Sequence, residues 1–330
     1  MNIGKLPNSL LEKIVIDPIN NHSVNRKEVL LKPSIGEDCA ALNLGENICL
    51  LSTDPITGAV ADIGKLAVNI NTNDIASSGG EPIGLMVTAL LPSSITEEEI
   101  SHIITDLYKE AEKVNVAILG GHTEITDAVN KPVLSCTVVG KTNKLIPSGG
   151  AKIGDSVIMT KYAAMEGTSI FASDKRDKLK GIDSSIIEKA KNLGNSLSVI
   201  AEGRIGSELG ANAMHDVTEG GILGALWEMA EASGVGLCVD LKKIPIRQET
   251  IEICEFFNIN PYLLDAAGCL FVVTGDGKRL VDYLGQYGVE AAVIGVVTEK
   301  KEKMIAINEL EHRCLSPVNG DEINKVLQGK

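Results

Sequence analysis

Between positions 61 and 82 the chain reads ADIGKLAVNINTNDIASSGGEP. Ile63, Leu66, Ala67 and Ile70 recur at three- and four-residue spacing, which predicts a helix with one buried face. Asp74 continues that stripe four residues after Ile70, so a carboxylate stands where a core residue is expected. Burying it is costly unless it is paired, hydrogen-bonded or bound to a metal. Asp62, Lys65, Asn69 and Asn73 form a second, polar stripe. Gly79, Gly80 and Pro82 predict the end of the helix. So many asparagines are poor for helix propensity. Either something other than helix stability selected them, or they are solvated surface and Asp74 caps a neighbouring helix.

The same patterning predicts the rest of the chain. Asn8 or Ser9 caps a short first helix, and 20–32 is polar loop leading into Ser34-Ile-Gly-Glu-Asp-Cys-Ala41. An apolar run at 48–52 predicts a strand that Thr53-Asp54-Pro55 ends, and 83–91 predicts a buried strand stopped by Pro92. Thr96 followed by Glu97–Glu99 is a capping pattern that opens an amphipathic helix to about Val114. Strands follow at 116–119, running into Gly120-Gly121-His122-Thr123-Glu124, and at 132–140. Pro147–Gly150 is the expected boundary, giving domains 1–148 and 149–330. The second half predicts strands at 155–160, 213–215, 235–239, 269–274 and 290–297. Its predicted helices are 163–172, one long region 184–208, 222–232, 247–257 and 278–287. This mixture implies an α/β or α+β fold.

At 330 residues, two domains of roughly 150 residues each are expected. Hydrophobic content of 44% supports real cores, and 3% aromatics means they are built from Ile, Val, Leu and Ala. The net charge of −13, with no long Lys/Arg run, argues against nucleic-acid and anionic-membrane partners. It leaves a nucleotide ligand open. Seven scattered cysteines without a C-x-x-C pair read as reduced thiols. No apolar run reaches about 18 residues, and with no secretory leader a soluble, cytoplasmic protein is expected.

Four acidic or polar signals fall at predicted strand ends or helix starts: Glu37-Asp38, Asp54, Asp74 and His122-Thr123-Glu124. Each alone is an ordinary turn feature. Together they favour a metal–phosphate site, since Mg²⁺ prefers carboxylate oxygens plus nucleotide phosphates. Gly121 permits close backbone approach to a ligand. His215-Asp216-Val-Thr218-Glu-Gly220-Gly221 directly precedes a helix, so it is either a plain N-cap or an anion site. His122 and His215 could exchange protons, though a lone histidine is more often structural. Lys65 either approaches a phosphate or lies on the exposed stripe. Walker and G-x-G-x-x-G loops are absent.

In this order, IGEDCA, LLSTDP, DIGKLAVN…NDIASSGGEP, GGHTE and HDVTEGG resemble the aminoimidazole-ribonucleotide synthetase (AIR synthase, PurM-like) superfamily over nearly the whole chain. Its HypE-like hydrogenase maturation branch is the most similar, through GKLPNSLLEKIV, TDPITG, HDVTEGGILGALWE and SGVGLCVDLKKIPI. The resemblance implies a two-domain α/β (α+β) subunit. Its N-terminal mixed sheet would form a barrel across a homodimer, and its C-terminal domain would be an α/β sandwich. It also implies ATP and Mg²⁺ as cofactors and transfer of a phosphoryl group. By motif, Asp38, Asp54 and Asp74 match the metal residues, with Asp54 and Asp74 the catalytic candidates. Lys65, Gly121, Thr123, Glu124, Asp216, Thr218, Gly220 and Gly221 match nucleotide and phosphate positions. His122 stands where the kinase and maturation branches often carry Asp.

Two departures matter. The maturation branch works through a C-terminal cysteine, whereas the last cysteine here is Cys314, so carbamoyl transfer to a terminal thiol is not carried over. No N-terminal catalytic cysteine of the selenophosphate kind stands within 22–32. Two functions are therefore expected in competition. One is an ATP- and Mg²⁺-dependent enzyme with an unassigned small-molecule or protein acceptor, with a metallocentre maturation partner in view. The other is a non-catalytic, nucleotide-binding regulatory or scaffold dimer.

Overall fold

The structure is a computed structural model and describes residues 8–22, 27–31, 34–37, 39–318 and 320–327. The first half runs α1 (Asn8–Leu11), a π-helical turn, α2 (Asp17–His22), β1 (Val29–Leu31), β2 (Ala40–Asn43), β3 (Ile48–Ile56), α3 (Ile63–Ser77), β4 (Glu81–Pro92), α4 (Glu97–Lys113), β5 (Ala117–Thr126) and β6 (Val133–Thr142). The second runs β7 (Ser156–Thr160), α5 (Met165–Asp174), α6 (Ser184–Leu193), α7 (Ile200–Glu208), β8 (Ala213–Asp216), α8 (Gly221–Ala232), β9 (Gly236–Asp240), α9 (Gln248–Phe257), β10 (Leu270–Thr274), α10 (Gly277–Gln286), β11 (Ala291–Thr298), β12 (Lys303–Ala306), β13 (His312–Cys314) and α11 (Ile323–Leu327).

The first sheet has the order β1-β2-β3-β6-β4-β5 and is antiparallel except for the β4–β5 pair. It stays open within the subunit, with β5 as a long edge. The second sheet has the order β13-β12-β9-β11-β7-β10-β8. Val157 and Met159 of β7 join one core cluster with Ile222, Leu226 and Met229 of α8. Ile158 joins another with Ile205 of α7 and Leu280 and Leu284 of α10. Alternation along the strand thus covers this sheet with helices on both faces.

The predicted central helix is α3, and burial encloses it on all sides. Every residue of α3 except Lys65 is buried. The asparagine stripe is therefore interior, not solvated. Asn69 donates to Glu110 Oε1 of α4 at 2.9 Å. Asn71 Oδ1 accepts from Asp54 N at 2.9 Å. Asn73 donates to Leu197 O and accepts from Val199 N, both at 2.8 Å. Glycines let neighbours come close: a β-carbon on Gly64 would stand 2.4 Å from Ile103 O, and one on Gly203 would stand 2.3 Å from Ala76 O.

Three predicted boundaries shift for physical reasons. β3 continues through Asp54 and Pro55 to Ile56, because β2 pairs only with Ile48–Leu51 and leaves that side open. A proline without N–H is tolerated there. The region 184–208 divides into α6 and α7, because the intervening chain gives its backbone groups to Asn73 on one side and to Lys161, which donates to Ser196 O and Ser198 O at 3.0 and 2.6 Å, on the other. Gly120–Glu124 lies inside β5 rather than in a loop after it. The capping box at Thr96 and Glu99 forms as read. β12 and β13 were not foreseen. No helix among the described residues is long and apolar enough to cross a membrane.

Asn73→Ala removes both bonds that tie α3 to residues 197–199. It is expected to cost about 2 kcal/mol of stability, the scale of stranding buried polar groups. Urea unfolding followed by circular dichroism measures this.

Candidate functional site

β3 and α3 together place two of the predicted carboxylates. Asn71 clamps the backbone of Asp54, accepting from its N–H and donating to its carbonyl at 3.4 Å. One turn further along α3, the buried Asp74 accepts from Ser52 Oγ. Asp74 also receives Cys39 Sγ on its carbonyl at 3.1 Å. Strand alternation and helix spacing therefore bring Ser52, Asp54, Asn71 and Asp74 together. Sequence reading missed Ser52 and Asn71. The available signal was that Asn71 precedes Asp74 by three residues.

The acidic loop bridges the two halves. Cys39 meets α3, and a β-carbon on Gly36 would touch Glu228 O of α8 at 3.0 Å. Asp38 lies outside the described residues. α3 also packs against β8, which ends at Asp216. Asp216 and the preceding His215 are buried. His215 Nε2 stands 3.5 Å from Glu228 Oε2, and Asn8 donates to Glu228 Oε1 at 3.2 Å. Gly220, with φ of 90°, takes the left-handed conformation that turns the loop into α8. Its amide donates to Asp321 Oδ2 at 2.7 Å, and that of Gly221 donates to Thr218 O at 3.0 Å.

Other predicted residues are placed elsewhere. Lys65 donates to Asn195 Oδ1 at 2.5 Å, and burial lowers its ammonium below the ordinary value. It lies about 13 Å from Asp74 along the helix. On β5, His122 is registered with the exposed Thr88, and Thr123 with the buried Ala89. His122 Nε2 and Glu124 Oε2 are 3.3 Å apart on the exposed side. They face away from the layer that holds Asp74, and Gly121 sits between them and Gly120 in the strand. One subunit thus sets Asp54 and Asp74 at the β3–α3 contact, with α3 also packed on β8, and sets His122 and Glu124 apart.

Among the described residues, no group of three or more His, Cys, Asp or Glu stands in a metal-holding arrangement. By their chemistry the two carboxylates fit Mg²⁺, which is held through one or two carboxylates plus substrate phosphates.

The chain matches two family descriptions: the AIR synthase related protein N-terminal domain over residues 36–142, and its C-terminal domain over 152–307. The chain belongs to the AIR synthase related proteins. This AIR synthase related protein is 27% identical to a putative hydrogenase expression/formation protein of Methanocaldococcus jannaschii, over 98% of this chain and 97% of that one. It is 26% identical to the carbamoyl dehydratase HypE of Rhodobacter capsulatus, over 83% and 79%. It is also 26% identical to the thiamine-monophosphate kinase of Pyrococcus horikoshii, over 76% and 77%. Its fold matches HypE in a HypE–HypF complex with a TM-score of 0.75 at 22% identity, over 92% of this chain and 99% of that one. It matches HypE in complex with ATP with a TM-score of 0.68 at 19% identity, over 98% of both chains. The sequence relatives support the HypE-like branch of the PurM-like superfamily, and the solved structures show the shared fold.

All seven cysteines are free. Burial pushes the Cys136 and Cys254 thiols up to about 12 and raises Cys269 further, while Cys314 is exposed. At pH 8 a thiol of that kind is thiolate in about one part in ten thousand. With an aromatic disulfide reagent, Cys314 is expected to react first, and Cys136, Cys254 and Cys269 only on unfolding. Absorbance with peptide mapping measures the order.

Proposed function

We propose that this chain is an ATP- and Mg²⁺-dependent enzyme that passes a phosphoryl group to, or activates, an oxygen on an acceptor. The observation that carries this reading is the β3–α3 clamp, which holds Asp54 and Asp74 together in a helix that also packs on β8, just before the Asp216–Gly221 loop. Asp54 and Asp74 would hold Mg²⁺, with Asp38 the third residue by motif. The metal supplies neutralisation of phosphate charge. Asp216, Thr218, Gly220 and Gly221 meet the phosphates from the second half. Phosphoryl transfer asks mainly for positioning and charge neutralisation, so a nucleophilic side chain is not required. The domains are taken as 1–148 and 149–330.

The HypE-like branch supports a role in hydrogenase metallocentre maturation, with a protein partner of the kind in the HypE–HypF complex. The relatives, a carbamoyl dehydratase and a kinase, differ in acceptor, so the nucleotide side is what they support here. A homodimer completes the site. β4 and β5 leave Met86 and Leu119 exposed on one face, beside a ten-residue edge strand. A second copy covering that face receives His122, Thr123 and Glu124 at its own nucleotide.

Titration calorimetry with ATP, with and without Mg²⁺, followed by phosphate release in the same sample, tests the enzyme. Mg²⁺-dependent binding with slow release is expected. Asp54→Asn is expected to weaken binding about tenfold or more, the scale of one lost charged contact. Binding without release under any acceptor favours the regulatory dimer, and no binding ends the reading. Light scattering tests the assembly: wild type is expected at twice the chain mass, and Met86→Glu with Leu119→Glu at the mass of a monomer.

A further inference from the structure

The outer edge of the second sheet carries a row of sulfur atoms that the nucleotide site does not use. Met304 of β12 is registered with Cys314 of β13 on one side and with Cys238 of β9 on the other. Residues paired directly across strands share a face, so two thiols flank one thioether. Cys314 Sγ donates to Met304 Sδ at 3.7 Å. His312, two residues before Cys314, lies on the same face, and the residue paired with it is the small Ala306. Ile305, one step along β12, belongs to the opposite face and joins the core. Val296, next in the row on β11, is exposed, so the helix cover of this face stops short of the edge. Cys238 and Met304 are half-buried, and Cys314 and His312 are exposed.

The β12–β13 hairpin holds this register firmly. Asn308 Oδ1 accepts from Leu310 N and Glu311 N, both at 2.9 Å, and Ile307 N donates to Glu311 O at 2.9 Å across the turn. Leu315 N extends the ladder to Lys303 O at 2.7 Å. Cys238 and Cys314 cannot join each other. With β12 between them their backbones stand two strand spacings apart, about 9.6 Å, beyond the span of a disulfide. The Cys314 thiol is therefore left to Met304, and it is the exposed one of the seven. Nearby charge is engaged elsewhere. Arg313 pairs with Glu311 at 2.7 Å on the other face, and the Asp240 carboxylate accepts from Lys242 N at 3.0 Å.

Softness decides which ion such donors take. Mg²⁺ prefers oxygen, whereas a thiolate beside a thioether suits Cu(I). Two metal–sulfur bonds of about 2.3 Å, the zinc–thiolate length, set their sulfurs about 3.8 Å apart at a tetrahedral angle. Met304 and Cys314 already stand at 3.7 Å. We propose that the β12–β13 hairpin binds one soft monovalent cation, Cu(I), through Cys314 Sγ and Met304 Sδ, with the His312 imidazole as third ligand. His312 is rooted about 6.6 Å along the strand from Cys314, a gap that its ring narrows. Only Cys314 and His312 are of the common ligand types, and the thioether supplies the third donor and the selectivity. Binding forms a copper–sulfur bond at Cys314 and sends its thiol proton to solvent. No electron moves, because the metal arrives as Cu(I). The site shares no residue with the nucleotide reading and stands or falls separately from it.

The full chain, reduced and kept under nitrogen, is titrated into the Cu(I)–bicinchoninate complex, and loss of its colour counts the copper taken. One equivalent per chain is expected. Alkylation of Cys314 by iodoacetamide is followed in parallel by peptide mapping. Cu(I) is expected to slow it about tenfold or more, the factor that nine-tenths occupancy gives. Zn²⁺ at the same concentration is expected to leave it unchanged. Met304→Leu keeps the volume and removes the thioether, and His312→Ala removes the imidazole at an exposed position. Each is expected to lower Cu(I) affinity about tenfold or more with circular dichroism unchanged, since even outer-shell partners of a metal are worth that much. No copper uptake by the wild type, equal protection by Zn²⁺, or wild-type affinity in either variant would overturn the site.

Discussion

A helix whose polar side chains are buried cannot be satisfied by itself, and α3 imposes that constraint on most of the molecule. Asn69, Asn71, Asn73 and Asp74 take their bonds from three other pieces of chain: α4 for Asn69, β3 for Asn71 and Asp74, and the 197–199 segment for Asn73. Stranding any one of them costs about 1–3 kcal/mol. The partners are therefore held in place as firmly as the helix. This explains why a stretch with poor helix propensity stands at the centre: packing and cross-element hydrogen bonds outweigh propensity. It also ties the two halves together, since Asn73 spans from the first to the second.

How far the sequence showed this depends on whether the deciding partner was local. The Thr96–Glu99 cap, the end of α3 at Gly79 and the apolar stripe of Ile63, Leu66 and Ile70 all rest on neighbours within a few positions, and they were legible. The burial of the asparagines was not, because Leu197 and Val199 lie more than a hundred positions away. The same reason hid the break between α6 and α7. The run of β3 past Pro55 was hidden too, because it depends on β2 being short.

The candidate site divides in the same way. Asp74 stood out because a carboxylate in an apolar stripe breaks a local rule, and Asp54 because it closes an apolar strand run. Their helpers Ser52 and Asn71 break none. Asp321 was invisible for a stronger reason: only the fold brings it onto the backbone amides of Gly220 and Asp265. Lys65, read as either a phosphate contact or part of an exposed stripe, stands at the start of α3 and donates to Asn195 Oδ1.

The charge of the site decides what kind of nucleotide complex it can form. Asp54 and Asp74 at the β3–α3 contact, and Asp216, Glu219 and Glu228 about the start of α8, make the proposed nucleotide site acidic, and the Gly220 amide is already given to Asp321. A free nucleotide polyphosphate brought to that surface meets mainly like charge, in a setting where screening is weak. Helix-end dipoles supply about half a charge, too little to offset several carboxylates. A divalent cation reverses the sign locally, converting the acidic residues from a barrier into ligands. On the proposed reading, the carboxylates that would repel ATP alone are thus the same groups that would hold Mg²⁺ beside its phosphates.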